Sequence, residues 1–308
     1  MHKNQIQYDY ETPGMNRSTF SCHAEPFAKL HSGESIEFDS NDNWLGNFKE
    51  DGAIDPDILQ YTNDHIGVAT GPFVIEEAQP GDWLKVSIDK VEPYNVGASA
   101  IGKTVCLCQQ RFGETQVRLA DIEDGYVIIN DQVKIPYRPM IGTIGTTPAD
   151  YEPRIKMEGF WGGNMDVPRV GPGAEIWLPV FVEGAYLYAG DCHAMQGDGE
   201  CINPFEVGAH LGLTFEVVKQ EGVDARRRLP RLITEETIEV IGTGNDYISA
   251  VQPAVEQMID WLKEDYGFNE EDAAFFCGCV GDGRPGGAVN YQFTVAYAIE
   301  RKYLPPKK

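Results

Sequence analysis

Asp82-Trp-Leu-Lys-Val-Ser-Ile-Asp-Lys-Val91 and Leu211-Gly-Leu-Thr-Phe-Glu-Val-Val218 decide how the fold is read. Leu84, Val86 and Ile88 are apolar at every second position of the first stretch, and Leu213, Phe215 and Val217 repeat the pattern in the second. A period of two sends alternate side chains to one face, so each stretch reads as a strand with one buried side. Three more runs rich in β-branched and aromatic residues have the same character: 126–129 (YVII), 175–182 (EIWLPVFV) and 185–189 (AYLYA). Glycine (33 residues) and proline (19) recur throughout and cut the chain into short segments. Short strands between turn signals predict a mainly β fold, with a β-sandwich or barrel-like body over residues 1–220.

The end of the chain reads differently. A charged, proline-containing connector at 221–231 (EGVDARRRLPR) leads into an α+β segment, 221–308, expected to pack on the β body. Ser249 with Gln252 forms a capping-box pattern, and Pro253 is read as lying in the first helical turn. Val251, Val255, Met258, Ile259 and Leu262 then recur at helical spacing until Gly267 supplies a stop. A shorter helix is expected after Asn269, with Glu270, Glu271 and Asp272 at its positive end. An extended run over 288–298 (AVNYQFTVAYA) comes next.

Among the 308 residues, 48 acidic against 25 basic side chains give a net charge of −23. Such a balance excludes nucleic acid as an expected partner, because phosphate neutralisation needs a surplus of Lys and Arg. No apolar run reaches the roughly 18 residues that a membrane span requires. The first residues, MHKNQIQYDYETPG, contain no apolar signal core, so a cytoplasmic location is expected. Seven cysteines make no disulfide scaffold. The pairs Cys106/Cys108 and Cys277/Cys279 sit in runs read as strand-like, TVCLC and FFCGC, and are expected to be plain buried thiols.

Gly97-Ala-Ser-Ala-Ile-Gly102-Lys103-Thr104 matches the phosphate-loop pattern G-x-x-x-x-G-K-[ST]. The next residues are Val105-Cys-Leu-Cys, a poor helix former, whereas phosphate cradling needs a helix N-terminus there. No nucleotide is expected. Asp39, Asn41, Asn43 and Glu50 have the spacing of a calcium loop, but Trp44 occupies the position that needs glycine, so a solvated polar loop is expected instead. The most informative stretch is Gly190-Asp-Cys-His-Ala-Met-Gln-Gly-Asp-Gly-Glu200. Coming after a strand, Asp191 and His193 should share one face while Cys192 points away, and a carboxylate beside an imidazole suits a divalent metal. Asp198 and Glu200 bring two more carboxylates on a loop whose glycines allow close backbone approach. An acidic turn with a structural histidine would use the same residues. Gly162-Gly-Asn-Met-Asp166 lies upstream in a segment read as largely irregular, of the kind that carries function on a rigid body.

Together these residues resemble the acetamidase/formamidase family. The resemblance rests on GGNMD (162–166), LPVFVEGAYLYAGD (178–191) and, most specifically, H-A-x-Q-G-D-G-E at 193–200. It extends to Gly71-Pro72 with Val74, Ile75 and Gln79-Pro-Gly-Asp82, to Ile141-Gly-Thr-Ile-Gly145 with Pro148-Ala149 read as a loop, to Thr243-Gly-Asn-Asp246 and Met258–Leu262, and to Asp282 with Arg284. The resemblance implies hydrolysis of a short amide such as formamide or acetamide to acid and ammonia, on a β-sandwich-like body, with divalent metal in the site. Two departures stand out: Trp161, where a small or polar residue is expected, and Cys201-Ile-Asn-Pro-Phe-Glu206 after the specific block.

Amide hydrolysis needs a strong nucleophile and a stabilised oxyanion, which a metal ion can supply together. Asp191 and His193 are the expected ligands, joined by Asp166 and Glu206; zinc is the expected ion and calcium the alternative. Glu200 is the expected general base, and Asp198 its orienting or paired acid. Asn164 and Gln196 are expected to bind substrate, Asn164 through its side-chain amide. A homo-oligomer is expected. Two other readings stay open: a non-catalytic β-sandwich that holds calcium structurally, and a hydrolase of another small C–N substrate such as a cyclic amide.

Overall fold

The computed structural model describes residues 14–46, 69–102, 106–220 and 224–308. Strands β1 (Ala28–Leu30), β2 (Ser35–Ser40), β3 (Ala69–Ile75) and β4 (Trp83–Ile101) open the chain. β5 (Gln116–Glu123), β6 (Tyr126–Asn130), β7 (Val133–Pro136) and β8 (Met140–Gly145) come after a four-residue helix, α1 (Gln109–Phe112). Next are β9 (Glu158–Gly159), β10 (Gly162–Asn164), β11 (Glu175–Pro179), β12 (Leu187–Met195) and β13 (Phe205–Val218). β14 (Arg231–Ile233) and β15 (Thr237–Gly244) precede helices α2 (Tyr247–Tyr266) and α3 (Glu270–Val280), and β16 (Gly281–Pro285) and β17 (Phe293–Glu300) end the fold.

The two alternating stretches lie on β4 and β13, and they are neighbours. Ile88 faces Leu213, Val86 faces Phe215 and Leu84 faces Val217 across an antiparallel ladder. All but Val217 are fully buried, and Val217 packs against the same core. Cross-strand pairs of this kind are what stabilises a sheet, and this ladder is the longest among the described residues. The strands form a curled, antiparallel half-barrel, as the mainly β reading expects. Only β1 and β3 run parallel among the named pairs. Ile141–Gly145, read as a loop, lies in strand β8, whose six residues, Met140–Gly145, are all buried.

β14 pairs with β11 through Ile233–Glu175, Leu232–Ile176 and Arg231–Trp177, and passes the sheet on to β15 and β17. Leu232, Ile241 and Ala296 join the main core. A second core forms where α2 lies on β15 and β17: Ile238, Val240, Met258, Trp261, Leu262 and Ile299. The close approach needs Gly242, where a Cβ would collide with the Ala250 carbonyl oxygen.

The helix starts earlier than the sequence suggests. Asp246 is the cap: its carboxylate accepts the Ser249 N–H at 2.8 Å, and Ser249 Oγ accepts the Asp246 N–H at 3.0 Å. Pro253 therefore falls beyond the first turn, inside the helix, rather than at its mouth. The stop at Gly267 is as expected, in left-handed backbone (φ 80°), and so is the second helix, capped by Asn269. FFCGC is not strand-like but part of α3, with Ala273 and Cys277 buried one turn apart; five apolar residues alone do not separate the two periods. Cys279 is exposed and Cys108 half-buried, so only Cys106, Cys192 and Cys277 are buried among the described thiols. Of TVCLC, only Cys106–Cys108 lie among the described residues, and they form one isolated bridge, Cys106 to Ile202. The final strand begins at Phe293, and Ala288–Gln292 forms a loop instead. Among the described residues no helix is long and apolar enough to cross a membrane.

Leu262 is fully buried in the second core. Leu262→Ala should lower the unfolding free energy by about 2–5 kcal/mol, read from denaturant midpoints at unchanged slope. An unchanged midpoint would show that α2 does not hold the C-terminal segment to the sheet.

Candidate active site

Three adjacent strands build the floor of the site. β8 lies between β12 and β10, with Thr143 opposite Gly190 on one side and Asn164 on the other. β13 flanks β12 so that Glu206 stands directly across from His193. Asp191 and His193 share a face, as expected from strand alternation, while Cys192 is buried in the core behind them. Asp166, just past β10, turns its carboxylate to the same point. One donor atom each from Asp166, Asp191 and His193 lies within 4.8 Å of the others. His193 Nε2 is 3.2 Å from Glu206 Oε2, 3.6 Å from Asp191 Oδ1 and 4.0 Å from Asp166 Oδ1. Glu200 completes the group, its buried carboxyl close enough to Asp166 for the two to interact.

Burial governs the electrostatics. It pushes Asp166 up, and the neighbouring Asp191 carboxylate pushes it further. Glu200 is raised well above the carboxylate range by burial and then by Asp166, and burial lifts Glu206 to about 7. Burial opposes a charged His193, but Glu206 and Asp191 more than reverse that and hold the imidazole well above its ordinary value. Burial also opposes an ionised Asp191, yet the His193 hydrogen bond and charge outweigh it and keep that carboxyl low. Asp166 Oδ1 and Glu200 Oε2 are buried and accept no hydrogen bond from a protein donor. Buried carboxylate oxygens without donors are costly unless a cation faces them. Two carboxylates and one imidazole within reach of each other, next to such oxygens, form a donor set that fits a divalent ion of the zinc type.

Three of these acids stand in left-handed backbone: Asp166 (φ 48°), Asp191 (φ 57°) and Glu200 (φ 44°). For a residue with a Cβ that conformation costs about 1–2 kcal/mol, and such residues concentrate at functional sites. Gly142 makes the room. A Cβ there would lie 2.5 Å from Asp166 Oδ1 and 3.2 Å from Asp191 Oδ2.

The remaining sequence candidates divide. Gln196 is used at both ends: its Oε1 meets His193 Nδ1 at 2.6 Å, and its Nε2 donates to the Asp166 carbonyl at 2.7 Å. It fixes which imidazole nitrogen faces the acids. Asn164 donates to Asp166 Oδ2 at 3.1 Å, and its Oδ1 is 2.5 Å from the Thr143 hydroxyl. Asp198 is not brought to the cluster; its half-exposed carboxylate pairs with Arg169 at 2.8 Å.

Several residues of the site have no local signal. Asn43 donates to Asp191 Oδ1 and, at 3.2 Å, to Glu206 Oε2. The polar loop that carries it is not solvated as expected: Ser40, Asn41 and Asp42 are buried, and Trp44 with them. Its Glu50 lies outside the described residues. Asn290, from the loop before β17, donates to Asp166 Oδ2 at 2.5 Å. Glu158 is buried too, accepts the Gln292 N–H, and is raised to about 8 by burial. Of the two departures, Trp161 is buried with its ring edge-to-face against Phe160 and Tyr151. Asn203 donates to Glu206 Oε1 at 3.0 Å. In the phosphate-like loop, residues 97–101 are the end of β4 laddered to β5, which engages their backbone; Lys103 and Thr104 lie outside the described residues.

Comparison with known proteins identifies the family. The model of the Acetamidase/Formamidase family matches residues 3–159 and 158–299. The chain superposes with TM-score 0.85 on the structure of a predicted acetamidase/formamidase from Thermoanaerobacter tengcongensis, at 30% identity over 94% of both chains. An acetamidase structure from Bacillus halodurans matches with TM-score 0.85 and 26% identity, over 94% of this chain and 96% of that one. A formamidase of Methylophilus methylotrophus is 30% identical over 135 residues, 38% of this chain and 33% of that protein. With nearly the whole sequence matched by its model and the fold shared over 94% of its length, the chain belongs to the acetamidase/formamidase family.

Proposed function

We propose that this protein hydrolyses a short linear amide, of the formamide or acetamide type, to a carboxylate and ammonia. The observation that carries the reading is the convergence of Asp166, Asp191, His193, Glu206 and Glu200 within a chain of this family. Asp166, Asp191 and His193 would hold a divalent ion, zinc by the chemistry of the set, with Glu206 beside the imidazole. When bound, such an ion polarises an amide carbonyl and acidifies water. A purely oxygen-ligated calcium site would have no use for His193, so the imidazole favours the hydrolytic reading over a structural one.

The chain's own groups supply the proton traffic. Glu200, raised by burial, is a stronger base when ionised and carries a proton to give when neutral. It accepts the proton of the attacking water and returns it to the departing nitrogen, which otherwise leaves as an unstable anion. Asn164 gives one side-chain N–H to Asp166 and would use the second, with its half-buried side chain, to orient the amide or the developing oxyanion. Gln196 and Asn43 hold His193, Asp191 and Glu206 in place, so the reacting geometry is set before substrate arrives.

Two variants separate the roles. His193→Ala should lose both bound metal and ammonia release. Glu200→Gln is nearly isosteric and should keep metal and fold while losing about 10²–10⁴ in rate. Elemental analysis beside ammonia release over C1–C4 amides reads both. Full activity in the His193 variant would sink the metal-assisted reading, and metal loss in the Glu200 variant would move that residue into the coordination shell.

Gly142→Ala tests the packing of the acids. Its added methyl would meet Asp166 Oδ1 at 2.5 Å, so metal stoichiometry and activity should fall together while the melting transition stays cooperative. Unchanged metal content would mean that the two carboxylates are not held as close as this.

A further inference from the structure

Glu200 ends a loop, Gly197-Asp-Gly-Glu200, that has little stiffness of its own, since both glycines are conformationally free. Yet the loop must deliver Glu200 to Asp166 from left-handed backbone. Something has to hold it. On one side, the Gly199 N–H donates to the Pro285 carbonyl at 3.1 Å, and the Ala288 N–H donates to Gly199 O at 2.9 Å. On the other side stands Arg169. Its Nη1 donates to Asp198 Oδ1 at 2.8 Å, and its Nε donates to Glu239 Oε1 at 2.6 Å. Glu239 is fully buried on β15, and the Thr237 hydroxyl donates to the same oxygen at 2.7 Å. Arg169 itself lies only three residues beyond Asp166 in sequence. One rigid guanidinium thus ties the loop before Glu200 to a buried carboxylate of the C-terminal sheet and to the segment that carries Asp166.

We propose that Arg169 is a positioning residue for the hydrolysis: through Asp198, and braced on Glu239, it fixes the Gly197–Glu200 loop so that Glu200 reaches the reacting centre. This role rests on Glu200 acting as the base of the proposed hydrolysis. It assigns Asp198 a part that needs no contact with substrate. The fork geometry matters, because Arg169 addresses its two carboxylates through different nitrogens of one plane, and a lysine has a single point charge to offer.

Asp198→Ala is the decisive variant, because it frees the loop and leaves the buried Arg169–Glu239 pair intact. Hydrogen exchange of the amides of residues 197–201 should quicken about tenfold, with exchange in β12 and the melting temperature unchanged. On the best amide found for the wild type, kcat should fall about 10–100-fold while KM stays within about threefold and metal content is unaltered. Arg169→Lys should show the same split, and added guanidinium should restore part of kcat to Arg169→Ala but none to Asp198→Ala. Unchanged exchange in the Asp198 variant overturns the clamp. Faster exchange with wild-type kcat overturns its part in catalysis, and so does a rate loss in the Arg169 variants that only tracks their melting temperature. The exchange measurement needs no substrate, so a wild type inactive on every amide would strike the proposed function and leave the clamp itself decided.

Discussion

Four carboxylates, Asp166, Asp191, Glu200 and Glu206, are buried around one imidazole, and the rest of the structure is arranged around that fact. Two like charges about 4 Å apart repel by about 4 kcal/mol at an effective dielectric of about 20, so the group cannot ionise fully on its own. The fold answers in three ways. It raises the proton affinity of Asp166 and Glu200, by burial first and then by the carboxylate beside each. Against burial, it lets Glu206 and Asp191 hold the His193 imidazole well above its ordinary value. And it surrounds the oxygens with neutral donors, Asn43, Asn164, Asn203 and Asn290, which satisfy carboxylates without cancelling their charge. An assembly that retains negative charge and leaves Asp166 Oδ1 and Glu200 Oε2 without donors is suited to receive a cation.

Holding these groups together needs scaffolding that is stiff where side chains converge. β4 and β13 supply it through the long ladder in which Leu84, Val86 and Ile88 meet Val217, Phe215 and Leu213. β12 and β8 are laid against that frame, and β13 itself carries Glu206. The left-handed backbone at Asp166, Asp191 and Glu200 is conformational strain that persists because neighbouring strands determine it. The C-terminal segment contributes to the site as well as to the core: Pro285 and Ala288 hold the Glu200 loop, and Asn290 reaches Asp166. The sheet continues into that segment through β14 on β11, which places those residues beside a site built mostly from the first two-thirds of the chain.

Much of the site is legible in the sequence as a set of residues. The run Asp191–Glu200 announces an acid and an imidazole two apart on a strand, with a glycine-rich acidic loop after them, and the period-two rule assigns Cys192 to the opposite side. Other parts misread in instructive ways. Asp198 and Glu200 are equivalent on paper, both acids in one Gly-flanked loop, yet one turns to Arg169 and the other to Asp166. Gln196 reads as a substrate ligand because glutamine can donate and accept, but both of its ends are spent on His193 and Asp166. Asn43 sits in a loop that reads as solvated, since nothing within twenty residues of it hints that Asp191, 148 positions away, is its partner.

What the sequence determined by itself is therefore periodic or local. Alternation at Leu84–Ile88 and Leu213–Val217 set the strands, the 3.6-residue recurrence of Met258 and Leu262 set the helix, and the spacing of Asp191 and His193 set a common face, because backbone geometry alone carries these relations. Tertiary structure decided which acids are buried, which lie beside one another and which find a base. Those outcomes depend on distances between residues such as Asn290 and Asp166, Asn43 and Asp191, or Arg169 and Glu239, which lie 124, 148 and 70 positions apart. Burial, repulsion and hydrogen-bond supply vary over a few ångströms in space, and only the folded sheet brings those ångströms into being.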